Sequence, residues 1–198
     1  CLELEDTIYG SWAGREAIKV LFVSTDKACE PVNVYGMSKS ISERVVTNAY
    51  NKSRKINFIA VRYGNVLESR GSIIPLFKYQ SENQDFLTLT SRNMTRFVMT
   101  LSESVDLILN AITYGHSGDL WVPKLNSMRI ADLAEIFSDM SGKKVKKIDI
   151  RPGEKLDEML ISKSESPRTI AAPVEGYFVI KPISETKFFK EDNVFSYS

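Results

Sequence analysis

The sequence has very little cysteine and histidine. Its 198 residues contain two cysteines, Cys1 and Cys29, and a single histidine, His116. Two thiols are too few for a disulfide framework or a four-thiolate zinc site, and they favour a reducing compartment, so we expect a cytoplasmic protein. His116 stands between Gly115 and Ser117, where a turn residue is favoured over a metal ligand or a base.

The sequence also lacks an excess of charge of one sign and any long apolar run. Lys and Arg number 26 against 25 Asp and Glu, a formal net charge of +1, so nucleic acid is not an expected partner and any anion must be bound by a local site. The apolar run over 20–23 is far shorter than the roughly 18 residues of a membrane span. Hydrophobic residues at 43% and charged residues at 26% are typical of a globular domain.

Apolar segments of helical and strand-like pattern alternate along the chain. Helical spacing predicts a helix over residues 3–18, and continuous apolarity over 19–24 predicts a strand buried on both faces. Further helices are predicted over 34–51, from Ser72, over 102–114 and over 130–140, and further strands over 56–61, 119–122 and 145–150. Residues after about 162 are assigned little structure. This order predicts an α/β fold with a parallel sheet between helices.

Polar side chains follow the first predicted strand. Thr25, Asp26 and Lys27 stand at its carboxyl end, where open α/β sheets bind ligands. Tyr35 and Lys39 come next, one helical turn apart on one face, an arrangement in which the ammonium stabilises a phenolate base. The Tyr–Lys spacing alone also fits an ordinary surface pair. Thr25 at a strand end shortly before Tyr35 favours a Thr–Tyr–Lys catalytic triad over coincidence.

The motifs over 23–28, 31–39 and 61–66 are similar to those of extended short-chain dehydrogenase/reductases that act on UDP-sugars. Further motifs resemble the inverting, C5-epimerising UDP-N-acetylglucosamine 4,6-dehydratases of this family: residues 69–72, 94–97, 122–124 and 150–156. The resemblance implies the C-terminal part of a Rossmann-like doubly wound parallel sheet plus a smaller α/β substrate-binding region. Residues 1–66 would be the C-terminal half of the NAD(P)-binding domain, and 67–198 would mainly bind the UDP-sugar, with 99–124 packing back on the sheet.

The resemblance implies catalytic roles for five residues. Tyr35, with Lys39 beside it, would take the proton of the sugar 4-hydroxyl while hydride passes from C4 to an oxidised nicotinamide, and Thr25 would bind that hydroxyl. Lys27 would remove the C5 proton as a neutral amine, kept neutral by burial beside Lys39 or the cofactor, and Asp26 would protonate the departing 6-hydroxyl. The retaining hexose dehydratases carry Asp followed by Glu at this place. A solvated salt bridge is the alternative explanation of the Asp–Lys pair.

The resemblance also implies binding residues and no metal. NADP or NAD would be contacted by Ser24, Tyr35, Lys39, Tyr63 and Asn65. UDP-N-acetylglucosamine would be contacted by Asn65, Arg70, Gly71, Ser72, Thr95, Arg96, Arg151, Glu154 and Lys155. The planar guanidinium groups of Arg70, Arg96 and Arg151 can each bind a diphosphate through two parallel hydrogen bonds. The alternative is that these three arginines are ordinary surface charges. A homo-oligomer is implied by the resemblance alone.

The Gly-rich turn that holds a dinucleotide pyrophosphate is missing from this pattern. Near the start only Gly10 and Gly14 lie close together, no predicted strand precedes them, and there is no initiator Met or signal peptide. Asp6 stands where the family usually carries Asn. We expect about the first hundred residues of the pattern to lie on a missing segment or another chain, and this chain alone to show little turnover.

Two other functions stay open. A UDP-sugar 4-epimerase would use Thr25, Tyr35 and Lys39 without dehydration, although the Asp26–Lys27 pair and the motif over 151–155 argue against it. A degenerate fragment would bind a UDP-sugar without turnover, and its unpaired sheet edge would favour association.

Overall fold

The computed structural model describes residues 18–52, 55–184 and 195–198. The helix predicted over 3–18 and the Asp6 position lie outside these residues, except for Ile18. The strands are β1 Ile18–Val23, β2 Ile56–Val61, β3 Asn65–Val66, β4 Phe86–Leu89, β5 Thr95–Met99, β6 Leu120–Pro123, β7 Asn126–Arg129, β8 Lys144–Lys147, β9 Thr169–Ala171 and β10 Tyr177–Ile180. The α-helices are α1 Val34–Asn48, α2 Ile73–Asn83, α3 Leu101–Tyr114 and α4 Ile130–Ser141.

The main sheet has five strands in the order β1–β2–β6–β10–β9. β1, β2 and β6 are parallel, and α1 follows β1 while α3 precedes β6. This parallel, helix-covered core confirms the predicted α/β layering. β10 pairs antiparallel with both β6 and β9.

The prediction of little structure after about residue 162 is wrong. β9 and β10 extend the main sheet, and Val179 and Ile180 are buried in two different apolar clusters. Neighbouring side chains of β10 therefore lie on opposite faces of the sheet, and both faces are covered. Four residues between Pro- and Gly-containing segments give too weak a pattern for a sequence-based prediction.

A smaller α/β region is built from a three-stranded sheet, β3–β5–β7, and a two-stranded sheet, β4–β8. Its core contains Phe77 of α2, Leu87 of β4 and Ala134 of α4, all fully buried. The sequence patterns predicted α4 but not β4, β5 or β7. Ser72 is the N-cap of α2 as predicted, yet its side chain makes no capping hydrogen bond.

Helix α1 buries few side chains. Gly36 and Glu43 are its buried residues, and Glu43 forms an ion pair with Arg62 at the end of β2. A Cβ on Gly36 would lie 2.3 Å from the carbonyl oxygen of Lys27, so only glycine permits this approach of α1 to the segment after β1. One close backbone contact and one buried charge pair therefore help to locate this helix.

None of the helices described here combines the length and the apolarity needed to cross a bilayer.

Candidate active site

The segment after β1 is held against the segment after β2 by backbone hydrogen bonds. Ser24 N–H donates to Val61 O at 2.7 Å, and Asp26 N–H donates to Tyr63 O at 2.9 Å. A 3-10 turn then begins at Asp26, whose side chain is fully buried. The predicted acid therefore lies at the carboxyl end of two adjacent parallel strands, where α/β sheets place their ligands.

Thr25, Asp26 and Lys27 form one hydrogen-bonded group. Thr25 Oγ1 donates to Asp26 Oδ1 at 2.8 Å, and Lys27 Nζ donates to the same oxygen at 3.0 Å. Asp26 Oδ2 is buried and has no hydrogen-bond partner within the described residues. The structure thus brings these three predicted catalytic side chains together, and the 33% exposed Lys27 side chain makes the salt bridge foreseen as an alternative.

The surroundings of Lys27 differ from the expectation of burial beside Lys39. Lys27 Nζ lies 3.6 Å from Glu158 Oε1, a buried carboxylate that sequence reasoning missed. Lys39 Nζ instead donates to Val23 O at 3.2 Å and lies 5.0 Å from the ring centroid of Phe22. Two carboxylates surround the Lys27 amine because the segment around Glu158 folds onto the end of β1. Nothing in the local pattern at 158 signals that contact.

Tyr35 and Lys39 lie on α1, whose start is capped by Asn33. The Asn33 Oδ1 atom accepts a hydrogen bond from Gly36 N–H at 2.8 Å. Tyr35 is 54% exposed in the first turn of α1, where it is available to a ligand at the sheet edge.

Tyr63 lies near Tyr35. Burial, with a smaller contribution from Tyr35, raises the pKa of Tyr63 above its ordinary value.

A cleft of about 480 Å³ lies between the end of β1 and the smaller α/β region. Its lining includes Lys27 and six of the predicted substrate-binding residues: Asn65, Gly71, Ser72, Arg96, Arg151 and Glu154. Asn65 Oδ1 and Ser72 Oγ are buried without a hydrogen-bond partner in the described part of the chain. Buried polar atoms normally have partners, so these two are available to a bound molecule.

The other predicted site residues do not line this cleft: Ser24, Thr25, Asp26, Tyr35, Lys39, Tyr63, Arg70, Thr95 and Lys155. Thr95 Oγ1 donates to Asp157 Oδ1 at 2.5 Å, and Lys155 Nζ donates to Cys29 O at 2.8 Å. Arg70 is exposed. Thr95 and Lys155 thus make structural contacts in this conformation.

Arg96 does not present a free guanidinium fork to the cleft. Its Nη1 donates to Thr95 O at 2.6 Å and Leu156 O at 2.9 Å, and its Nη2 donates to Lys155 O at 3.0 Å. The side chain is also largely buried. Three of its donors are consumed by backbone carbonyls, so Arg96 mainly holds the segment around 155–156 in place. Arg151, by contrast, is exposed.

The residues predicted to hold a nicotinamide offer suitable polar groups at the end of β1. Ser24 Oγ is buried without a partner in the part of the chain described, Tyr35 is exposed, and Lys39 is half-buried. A hydroxyl, a phenol and an ammonium are the donors that a ribose and a nicotinamide amide can use. The described glycines contain no G-x-G-x-x-G run for the pyrophosphate. Within the described residues, no group of three or more His, Cys, Asp and Glu side chains is placed to hold a metal ion.

Known proteins resemble this chain over most of its length. The inverting UDP-N-acetylglucosamine 4,6-dehydratase of Campylobacter jejuni is 40% identical over 181 residues, which is 90% of this chain and 52% of that protein. A protein named UDP-glucose 4-epimerase from Rickettsia bellii is also 40% identical over 181 residues, 87% of this chain and 52% of its own length. The chain spans about half the length of these curated relatives.

The crystal structure of Pen from Bacillus thuringiensis superposes with a TM-score of 0.81 at 34% identity, covering 90% of this chain and 57% of that one. This similarity and the sheet order confirm the predicted Rossmann-like α/β class with a smaller α/β region. A family model described as polysaccharide biosynthesis protein matches residues 11–182. The resemblance inferred from the motifs is thereby confirmed, and the chain belongs to the polysaccharide biosynthesis protein family.

Proposed function

We propose that this chain carries the catalytic centre and the UDP-sugar-binding region of an inverting UDP-N-acetylglucosamine 4,6-dehydratase. The observation that carries the proposal is the Asp26–Lys27 pair, an acid and an amine 3.0 Å apart at the carboxyl end of β1 and beside the cleft. The 40% identity to the Campylobacter jejuni dehydratase supports the same reaction and substrate class.

The salt bridge and the proposed chemistry are compatible because Asp26 and Lys27 can share one proton. Dehydration needs an acid for the departing 6-hydroxyl and an amine able to accept the C5 proton. An ammonium beside a carboxylate holds the same number of protons as an amine beside a carboxylic acid, and transfer along the 3.0 Å contact interconverts them.

Tyr35 and Thr25 are proposed to act on the sugar 4-hydroxyl, with Tyr35 as base and Thr25 as hydrogen-bond partner. Lys39 and Ser24 would orient the cofactor, NADP or NAD, because Ser24 follows β1 and the Lys39 amine donates to the carbonyl of Val23. A bound oxidised nicotinamide would supply a hydride acceptor for sugar C4 and, once reduced, a hydride donor for C6.

The UDP moiety is proposed to occupy the cleft. Asn65 and Ser72 offer unpartnered polar atoms there, and Arg151 offers a guanidinium that can bind a diphosphate through two parallel hydrogen bonds. Arg70, next to the cleft residue Gly71, is the second arginine available for that contact. Glu154 also lines the cleft, where its carboxylate can accept hydrogen bonds from sugar or ribose hydroxyls.

In this proposal, residues 1–66 bind the cofactor and residues 67–198 mainly bind the UDP-sugar. The packing of α3 within 99–124 against β1, β2 and β6 supports its assignment to the main sheet. The Gly-rich turn would come from a preceding segment or another chain. The buried, free thiol of Cys29 supports a reducing, cytoplasmic compartment.

A homo-oligomer is proposed on the exposed face of α1. Val34, Met37, Ile41 and Val45 form an apolar stripe at helical spacing, with exposed fractions from 48% to 82%. Such a stripe favours burial against a second copy. Light scattering should report a dimer or larger, and Ile41→Glu should shift it toward monomer. A monomeric parent protein would contradict this part of the proposal.

The test of function is the product that the protein containing this sequence makes from UDP-N-acetylglucosamine with NADP or NAD. A 4-keto-6-deoxy sugar nucleotide inverted at C5 supports the proposal. The 4-epimer without loss of water would instead indicate the epimerase favoured by the Rickettsia bellii relative. Nucleotide-sugar binding without product would indicate a binding module. For the isolated 198 residues we expect little turnover, and appreciable turnover would contradict the need for a further nucleotide-binding segment.

A further inference from the structure

Glu158 is a buried carboxylate that the proposed reaction does not use. It is 5% exposed and lies beside the cleft that Lys27 lines. Its Oε1 is 3.6 Å from Lys27 Nζ, and its Oε2 is 3.9 Å from Lys155 Nζ. Oε2 has no hydrogen-bond partner within the described residues. A buried carboxylate is costly without a compensating charge, and the amines of Lys27 and Lys155 supply that charge here.

The segment that carries Glu158 is attached to the loop after β1 at two further points. Lys155 Nζ donates to Cys29 O at 2.8 Å, and Asn33 Nδ2 donates to Gly153 O at 2.9 Å. Gly153 has a φ of +78°, and a Cβ there would lie 3.0 Å from Asn33 Cβ. These contacts tie the Glu158 segment to the loop that follows the Asp26–Lys27 turn.

We propose that Glu158 is a positioning residue for the Lys27 amine. Lys27 has a long flexible side chain, one-third exposed, and Asp26 Oδ1 alone would leave the amine free to rotate toward solvent. A second carboxylate on the opposite segment holds Nζ between two acids at the edge of the cleft. This inference rests on the proposed dehydratase function, in which Lys27 accepts the C5 proton.

The test compares two steps of the reaction in the parent protein that contains this sequence. Solvent deuterium incorporation at sugar C5 reports the Lys27 step, and transient reduction of the nicotinamide reports oxidation at C4. Glu158→Gln keeps the shape of the side chain but removes its charge. We expect C5 exchange to fall about tenfold because the amine is misplaced, with C4 oxidation and KM changed by less than about twofold.

Two further variants separate positioning from a general structural effect. Glu158→Asp keeps the charge on a shorter side chain and should retain more C5 exchange than Glu158→Gln. Asp149→Asn removes an exposed carboxylate nearby in the chain and should leave both steps unchanged. A parallel fall of C5 exchange and C4 oxidation in Glu158→Gln, or no fall in either, would overturn the proposal.

A measurement independent of turnover keeps this inference separate from the proposed function. The melting temperatures of Lys27→Met, Glu158→Gln and the double variant form a thermodynamic cycle. If the two residues interact, the double variant should lose about 2 °C less in melting temperature than the sum of the two single losses. If the two single losses in melting temperature are strictly additive, the proposed coupling of Lys27 and Glu158 is refuted, even in an active enzyme. If the two residues are coupled but the protein makes no 4-keto-6-deoxy product, only the proposed function is refuted.

Discussion

Arg62 and Glu43 form a buried bidentate ion pair that joins the end of β2 to α1. Arg62 Nε donates to Glu43 Oε1 at 3.0 Å, and Nη2 donates to Oε2 at 2.6 Å. The remaining donors of the guanidinium reach Glu165 and the carbonyl of Leu160. Since α1 carries Tyr35 and Lys39, this network ties the proposed catalytic helix to the end of β2 through buried charged groups.

The first prediction concerns acid stability. Burial alone would raise the pKa of Glu165, but Arg62 and the hydrogen bond from Ser162 N–H lower it from the usual 4.5 to about 2. A carboxyl whose folded pKa is depressed contributes stability that is fully present above about pH 4.5 and is lost as the pH falls toward 2. We therefore expect the free energy of unfolding to fall across this window, measured by denaturant titration at each pH.

Glu165→Gln checks this assignment. It should cost about 3 kcal/mol at neutral pH, because Arg62 loses one charged partner, and should flatten the acid dependence. Glu175→Gln, at an exposed position, is the control and should change neither quantity. An unchanged acid slope in Glu165→Gln would show that other carboxyls cause the acid lability.

The second prediction concerns Gly36. A methyl group there would lie 2.3 Å from Lys27 O, so Gly36→Ala must push α1 away from the turn that holds Asp26 and Lys27. We expect a loss of about 1 to 3 kcal/mol in unfolding free energy and a fall in activity. Ser40→Ala on the same helix is the matched control. Wild-type stability in Gly36→Ala would contradict the close approach.

Much of the fold follows from patterns that the sequence displays. β2 was predicted with the bounds that it has, and α1, α3 and α4 begin within a residue of prediction, because long periodic or continuous apolar segments give strong signals. β4, β5 and β7 were not predicted, since these short strands mix polar with apolar residues and become stable through pairing with distant segments.

The candidate site was predictable only in part. The position of Asp26 after an apolar parallel strand indicated chemistry, and the structure places Thr25 and Lys27 around it. The expectation that this strand is buried on both faces is wrong for the described residues, because β1 lies at the edge of the sheet and its side chains stay partly exposed. Glu158 and the carbonyl contacts of Arg96 arise from chain segments that meet in the fold, so no local spacing reveals them. An arginine in a motif looks the same in sequence whether it binds a ligand or the backbone.

The third prediction separates Arg96 from Arg151. Arg96→Ala removes the guanidinium that donates hydrogen bonds to Lys155 O and Leu156 O and should cost about 1 to 3 kcal/mol of stability. Arg151→Ala should leave the melting temperature unchanged and weaken UDP binding about tenfold, because a charged hydrogen-bonding partner of the diphosphate is lost. Calorimetric titration with UDP and thermal unfolding measure both effects. The reverse pattern would contradict these roles.

The fourth prediction addresses the base itself, in the parent protein that contains this sequence. Lys27→Ala removes the only amine in hydrogen-bond contact with Asp26 among the described residues, so the C5 proton has no acceptor. Lys78→Ala removes an exposed amine paired with Glu68 and serves as the control. The decisive measurement is deuterium exchange from solvent into C5 of the sugar. The account predicts that Lys27→Ala abolishes this exchange while oxidation at C4 remains detectable, whereas exchange that survives in Lys27→Ala would contradict it.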